Sequence, residues 1–226
     1  RSKKGIQFII IHYTGMKKES LAIKRLCDFT SKVSAHYFIK KNGEILRLVP
    51  DLYEAWHAGK SRWKIYNNLN KNSIGIELQN NGHGKKYEFF PSKQIMSLRK
   101  LLKKLISTYK IKNKDILGHS DIAPERKKDP GEKFPWGKLS KYKLAKWHNL
   151  SERKINNLRL IGLSKKDEKH FLKNLKIIGY CQIKNLSLKN SNRLIIKAFQ
   201  RRFRQQLING ISDLECFEIS KNLIKY

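Results

Sequence analysis

The sequence predicts an α/β chain that becomes all-α in its last third. Through about residue 150, short β-branched apolar runs alternate with segments of helical periodicity; after Leu150 three or four helical patterns follow one another with no strand-like run. The 226 residues suffice for one large domain, or for a medium domain and a small one. The change of character near 148–152 divides the chain into residues 1–150 and 151–226.

The elements follow in order. "IQFIIIHYT" (6–14) is an apolar run ending in polar residues, as a buried central strand requires, and "ESLAIKRLCDF" has apolar residues at helical spacing. "SAHYFIKKNGEILRLVP" reads as two strands joined at Asn42-Gly43, the strongest hairpin signal in the chain. "NSIGIELQN" is a further strand. "PSKQIMSLRKLLKKLISTY" opens on Pro91 and Ser92 and sets Ile95, Leu98, Leu102 and Leu105 on one stripe, which predicts a long amphipathic helix. "ILGHSDIAPERKKDPGEKFPW" (116–136) is too rich in proline, glycine and acids to be a long helix or a clean strand, so other parts of the chain must hold it. Beyond it, Phe171, Leu172, Leu175 and Ile178 form one helical stripe. Leu194, Ile195, Ala198, Phe199, Phe203 and Leu207 form another, and Leu214, Phe217 and Leu223 a last one.

The net charge of +32 attracts polyanions. The lysines are spread along the whole length, however, and rise together with Asn and Ile, as in a protein from an AT-rich genome. Compositional drift, attraction to an anionic wall or membrane surface, and nucleic-acid binding are the three readings, in that order. No apolar run has bilayer length and no signal-peptide pattern is visible. The first residue is Arg1 and not Met, so a native start carrying an export signal or lipid anchor is expected to be missing. Cys27, Cys181 and Cys216 cannot all pair and show no CxxC spacing; they are expected to be buried small hydrophobes, with a Cys181–Cys216 disulfide as the minor alternative.

A hydrolytic zinc ion takes three protein ligands from His and carboxylate and leaves one position for water. His12 at a strand end, with His119 and Asp129 in the Pro-rich loop, would supply them, although seven histidines also allow accidental triples. Glu77 lies in an apolar strand, where an unpaired carboxylate is costly to bury, so it needs a partner or a task such as taking a proton. Lys127 offers a positive charge two residues before Asp129. Taken without the metal, these two read equally well as a salt-bridged acid and a solvated lysine.

Taken together, "IIIHYT", the hairpin, "AWHAGKSRW", "NSIGIELQN" and the loop from Ile116 to Trp136 resemble the type 2 family of zinc-dependent N-acetylmuramoyl-L-alanine amidases, especially its AmiD and AmpD branch, over about residues 5–140. The resemblance implies a mixed central β-sheet flanked by helices with one zinc ion at one face. It implies that His12, His119 and Asp129 are the ligands, Glu77 the general acid and base, and Lys127, not Lys128, the residue that polarises the reacting carbonyl. The implied reaction cleaves the amide between the lactyl group of N-acetylmuramic acid, or its anhydro form, and L-alanine of the stem peptide. All five positions are filled.

"AWHAGKSRW" is expected to wall the cleft with Trp56, His57 and Trp63, and Arg126 to pair with a stem-peptide carboxylate; His36 and His57 rank below His12 and His119 as ligands. In the tail, "AFQRRF" and "NGISD" resemble a small helical peptidoglycan-binding module, which would tether the enzyme to its polymer. Arg201, Arg202 and Arg204 beside Phe199 and Phe203 also invite a nucleic-acid reading, but Phe at helical spacing is core, and no nucleic-acid partner is expected. The competing class is a non-catalytic peptidoglycan-recognition protein on the same fold. The resemblance further implies a place in the periplasm or attached to the outer membrane, acting on peptidoglycan or muropeptides; a monomer is expected, although the residues themselves carry no sign of oligomeric state.

Overall fold

The computed structural model describes residues 1–84 and 87–225. Its centre is the strand β1 (Phe8–Tyr13), whose apolar residues are all but excluded from solvent. An isoleucine-rich run of this kind is stable only where both faces of the sheet are covered. β1 lies between β6 (Ser73–Leu78) and β7 (Ile116–Gly118), parallel to both. β2 (Tyr37–Ile39) adds in parallel to β6, and β3 (Ile45–Arg47) closes the edge antiparallel, giving the mixed order β3-β2-β6-β1-β7. The β2–β3 turn is the expected one. Gly43 has φ +95°, and a Cβ there would lie 2.9 Å from the Lys93 carbonyl oxygen, so both conformation and space demand glycine. A separate two-stranded ribbon, β4 (Arg62–Trp63) with β5 (Tyr66–Asn67), is too short to have left a period-two pattern in the sequence.

One face of the sheet is covered by α2 (Ser92–Tyr109). Its buried Leu98, Leu101, Leu102 and Leu105 pack in a single cluster with Ile9, Ile11 and Ile76, and Ile95 flanks that cluster half-buried. The helices α1 (Glu19–Cys27), α3 (His119–Ile122), α4 (Trp136–Ser140) and α5 (Glu152–Asn156) are short. The other face is covered by α6 (Lys165–Ile178), α7 (Leu188–Phe203) and α8 (Leu214–Lys225). Phe8 and Ile10, the alternate residues of β1, share one apolar cluster with Phe171, Ile195, Phe199, Phe203 and Ile219. The chain after residue 151 is therefore the third layer over the sheet, continuous in its core with the α/β part.

Three expectations change on contact with this packing. Trp63 does not wall a cleft: it is 2% exposed, edge-on to Tyr180 with ring centroids 5.0 Å apart, because the β4–β5 ribbon turns it toward the helical layer. The three cysteines are all free, but only Cys216 is a buried small hydrophobe, whereas Cys27 is exposed. Leu207 lies beyond the end of α7. The arginines at that end form no basic surface, since Arg202 and Arg204 are 3% and 1% exposed and are paired internally. Among the described residues no helix is long and apolar enough to cross a membrane.

Candidate metal and catalytic site

His12 and Glu77 are register partners on the adjacent parallel strands β1 and β6, so their side chains leave the sheet on the same face, side by side. β7 then delivers His119 as the first residue of α3, and the loop that follows returns Asp129 to the same point. The His12 Nδ1 lies 2.9 Å from the His119 Nδ1, and both lie 3.0 Å from the Asp129 Oδ2. All three residues are buried.

The contacts of the far ring nitrogens select the tautomers in which the near nitrogens can bind a metal. The His119 Nε2 sits 3.1 Å from the Ala58 carbonyl oxygen, which can only accept, so this nitrogen carries the proton and Nδ1 presents a lone pair. The His12 Nε2 meets the His57 Nδ1 at 3.0 Å, and the His57 Nε2 meets the Ser73 Oγ at 3.3 Å. Ser73 donates its own proton to the Leu69 carbonyl at 2.6 Å, so its oxygen accepts from His57, and His57 in turn accepts from His12. His12 is thereby left with a lone pair at Nδ1. In these tautomers two imidazole lone pairs and a carboxylate oxygen converge, a donor set that fits a divalent cation of the zinc class.

The electrostatics agree. Burial, with His119 next, pushes His12 down to about 4, which keeps it neutral. Burial alone would raise Asp129, but the two histidines outweigh it when a proton sits on a facing Nδ1, and then hold the carboxyl well below its ordinary range; a cation on the same three atoms would take that proton's place. Burial, reinforced by Asp129 and opposed by Lys127, pushes Glu77 up to about 8. Its Oε2 has no hydrogen-bond partner among the described residues.

A cleft of about 390 Å³ opens over these groups, lined by His12, Glu77, His119, Lys127 and Asp129, with Trp56 and Arg126 at its rim. Trp56 is 40% exposed and packs against the exposed Phe29 with ring centroids 5.4 Å apart. His57 reaches the cleft but has both ring nitrogens committed to His12 and Ser73; it stands behind His12 and does not offer itself as a wall. Its ring fits because residue 75 is glycine: a Cβ there would lie 2.3 Å from the ring. Arg126 spends its donors on the carbonyls of Ala58 and Lys60, which leaves less of it for a carboxylate than the sequence suggested. The sequence reading missed Ser73. Its one trace there is Gly75, a strand glycine that marks a close approach.

Comparison with known proteins bears directly on this geometry. The family model described as Amidase_2, N-acetylmuramoyl-L-alanine amidase, matches residues 2–132. The chain belongs to the N-acetylmuramoyl-L-alanine amidase family. Like its relatives this amidase is an enzyme of the α/β type, with the mixed sheet and flanking helices that the sequence implied. It is 36% identical to N-acetylmuramoyl-L-alanine amidase AmiD of Escherichia coli K12, covering 97% of this chain and 83% of that protein. Among solved structures it resembles E. coli AmiD in complex with anhydro-N-acetylmuramic acid-L-Ala-D-gamma-Glu-L-Lys, with a TM-score of 0.86 at 33% identity over 98% of this chain and 89% of that one. Pseudomonas aeruginosa AmpDh3 in complex with anhydromuramic pentapeptide gives 0.86 at 29% identity, over 98% and 92%.

Proposed function

We propose that this amidase holds one zinc ion on His12, His119 and Asp129 and hydrolyses the amide between the lactyl group of N-acetylmuramic or anhydro-muramic acid and L-alanine of the stem peptide. The observation that supports this most directly is the convergence of three buried ligand atoms beside a buried carboxyl group with an unpartnered oxygen. Zinc bound there supplies a Lewis acid that acidifies a water and polarises the carbonyl.

The remaining steps belong to the chain. Glu77 accepts a proton from the attacking water and returns it to the departing amine of L-alanine, a shuttle suited to a carboxyl group whose pKa has been raised toward neutrality. Lys127 brings its ammonium to the same cleft and stabilises negative charge as it develops on the carbonyl oxygen. Trp56 offers a stacking face to sugar or peptide. His57 and Ser73 hold His12 in its ligating tautomer.

The relatives' amidase activities and the bound muropeptide fragments of the two solved structures support peptidoglycan or muropeptide as substrate, and with it work at the cell envelope. A periplasmic or outer-membrane-attached location, and a wall-binding contribution from residues 151–226, belong to the same proposal. The test is mass spectrometry of purified sacculus and of anhydro-muropeptide after incubation with zinc-loaded protein, beside Glu77→Gln. Free stem peptides beginning at L-alanine are expected from the wild type alone. A folded, zinc-loaded wild type that releases none would leave only wall recognition.

A further inference from the structure

The segment from Ile116 to Trp136 carries two of the three ligands and Lys127, yet contains little regular structure. Part of its restraint comes from the end of α7 and its neighbours. The Arg202 guanidinium donates from Nη1 to the Asp121 Oδ2 at 2.8 Å and from Nη2 to the Ile116 carbonyl at 2.9 Å, and it lies over the Trp136 ring at 4.0 Å. Tyr180 donates its hydroxyl to the other Asp121 oxygen at 2.8 Å, and the Gln205 Nε2 donates to the Phe134 carbonyl at 2.8 Å. Arg202, Tyr180 and Asp121 are all buried. Asp121 Oδ2 also accepts the Gly118 amide at 2.8 Å, so the carboxylate grips the turn on both sides of His119.

We infer that Arg202, assisted by Tyr180, is a positioning residue for the metal site: the helical layer fixes the His119 turn through Asp121 and is thereby part of the scaffold on which the ion is held. The physical ground is that His119 stands in a one-turn helix too short to define its own orientation. A ligand ring that is a fraction of an ångström out of place loses its metal. The Asp121 carboxylate can lock that turn only while its charge is matched, and in this buried position Arg202 supplies the match. The chain after residue 151 thus acts on the cleft by holding it, whatever else it binds.

The inference rests on the zinc reading above, and the experiment separates the two. Full-length wild type, Arg202→Met, Arg202→Lys, Tyr180→Phe and a control, Phe171→Leu, are compared. Phe171 lies in the same apolar layer and makes none of these contacts. Zinc affinity is measured by competition with a chromophoric chelator, amide exchange at Gly118 is followed in the metal-free protein, and kcat and KM are determined separately. Arg202→Met is expected to weaken zinc binding by about 10-fold or more, the range of lost outer partners of metal ligands, and to lower kcat more than it raises KM. Arg202→Lys restores part of the affinity. Phe171→Leu lowers the melting temperature without changing zinc affinity.

Should Arg202→Met not fold, Tyr180→Phe, which removes one hydroxyl, carries the test with a smaller loss of affinity and faster exchange at Gly118. Unchanged zinc affinity and unchanged Gly118 exchange in the folded variants would overturn the inference, as would an equal loss of affinity in Phe171→Leu. A wild type that holds no zinc would indict the ligand set, and the Gly118 exchange would still decide whether Arg202 locks the turn.

Discussion

At the end of α7 the Arg204 guanidinium lies 3.0 Å from Asp213 and 3.4 Å from Glu215, and Glu215 is gripped again by Arg159 at 2.7 Å. At the end of β1 the same protein buries two histidines and an aspartate whose acceptor atoms face one another at 2.9 to 3.0 Å, with a further carboxyl group beside them. Both clusters sit out of water, where an unmatched charge is expensive. In the first, cations of the chain itself answer the acids. In the second, among the described residues no Lys or Arg side chain pairs with the converging atoms. The comparison teaches where to look for chemistry: a buried polar group completed by the protein's own side chains stabilises the fold, and one left open waits for an ion or a substrate.

The comparison can be broken at several points. The largest effect is expected at the open cluster, where Glu77→Gln keeps size and burial but removes the proton carrier. kcat is expected to fall by about 10²- to 10⁴-fold, with zinc content by elemental analysis unchanged. At the closed cluster, Arg204→Met leaves the buried Asp213 without its cation and Glu215 with Arg159 alone, and is expected to cost roughly 3–5 kcal/mol in urea unfolding, with zinc affinity near that of the wild type.

His36 tests whether burial without a metal is also felt. Burial holds it down at about 4, with its ring between the Gly75 amide and the Tyr53 carbonyl. Its folded pKa is depressed, so the unfolded chain binds the proton first. The stability is present above pH 6.5 and is lost as the pH falls toward 4, by on the order of 3 kcal/mol at about 1.4 kcal/mol per pH unit. Unfolding free energies at pH 7.5, 5.5 and 4.5 would show the slope, and His36→Gln should flatten it.

Chelation sharpens the contrast further. Zinc at about 100 times its Kd adds about 2.7 kcal/mol to stability, so removing it should lower the melting temperature and abolish turnover. The same treatment of His119→Ala should leave the melting temperature unmoved. The smallest effect is expected at the rim, where Trp56→Ala should raise KM a few-fold (about 1 kcal/mol) with kcat nearly unchanged, measured on soluble anhydro-muropeptide.

Much of this arrangement could be read directly from the chain. The isoleucines of β1, the Asn42-Gly43 turn and the leucine stripe of α2 obey local rules of period and turn chemistry, and the motifs carry His12, Glu77, His119, Lys127 and Asp129 in that order. Local pattern fixes which residues an element buries, because side-chain direction follows from backbone period alone. It does not fix what those residues meet. Trp63 and Trp56 stand in one motif and look alike in sequence. Only the turn of the β4–β5 ribbon sends the first into the helical layer and leaves the second at the cleft. Ser73 and His57 align His12 from positions far apart in the chain, and Arg202 reaches Asp121 across 81 residues. The basic helix end that resembled a surface for polyanions became an internal clamp for the same reason: the partners of a charge are chosen by packing, and the sequence carries no local record of them.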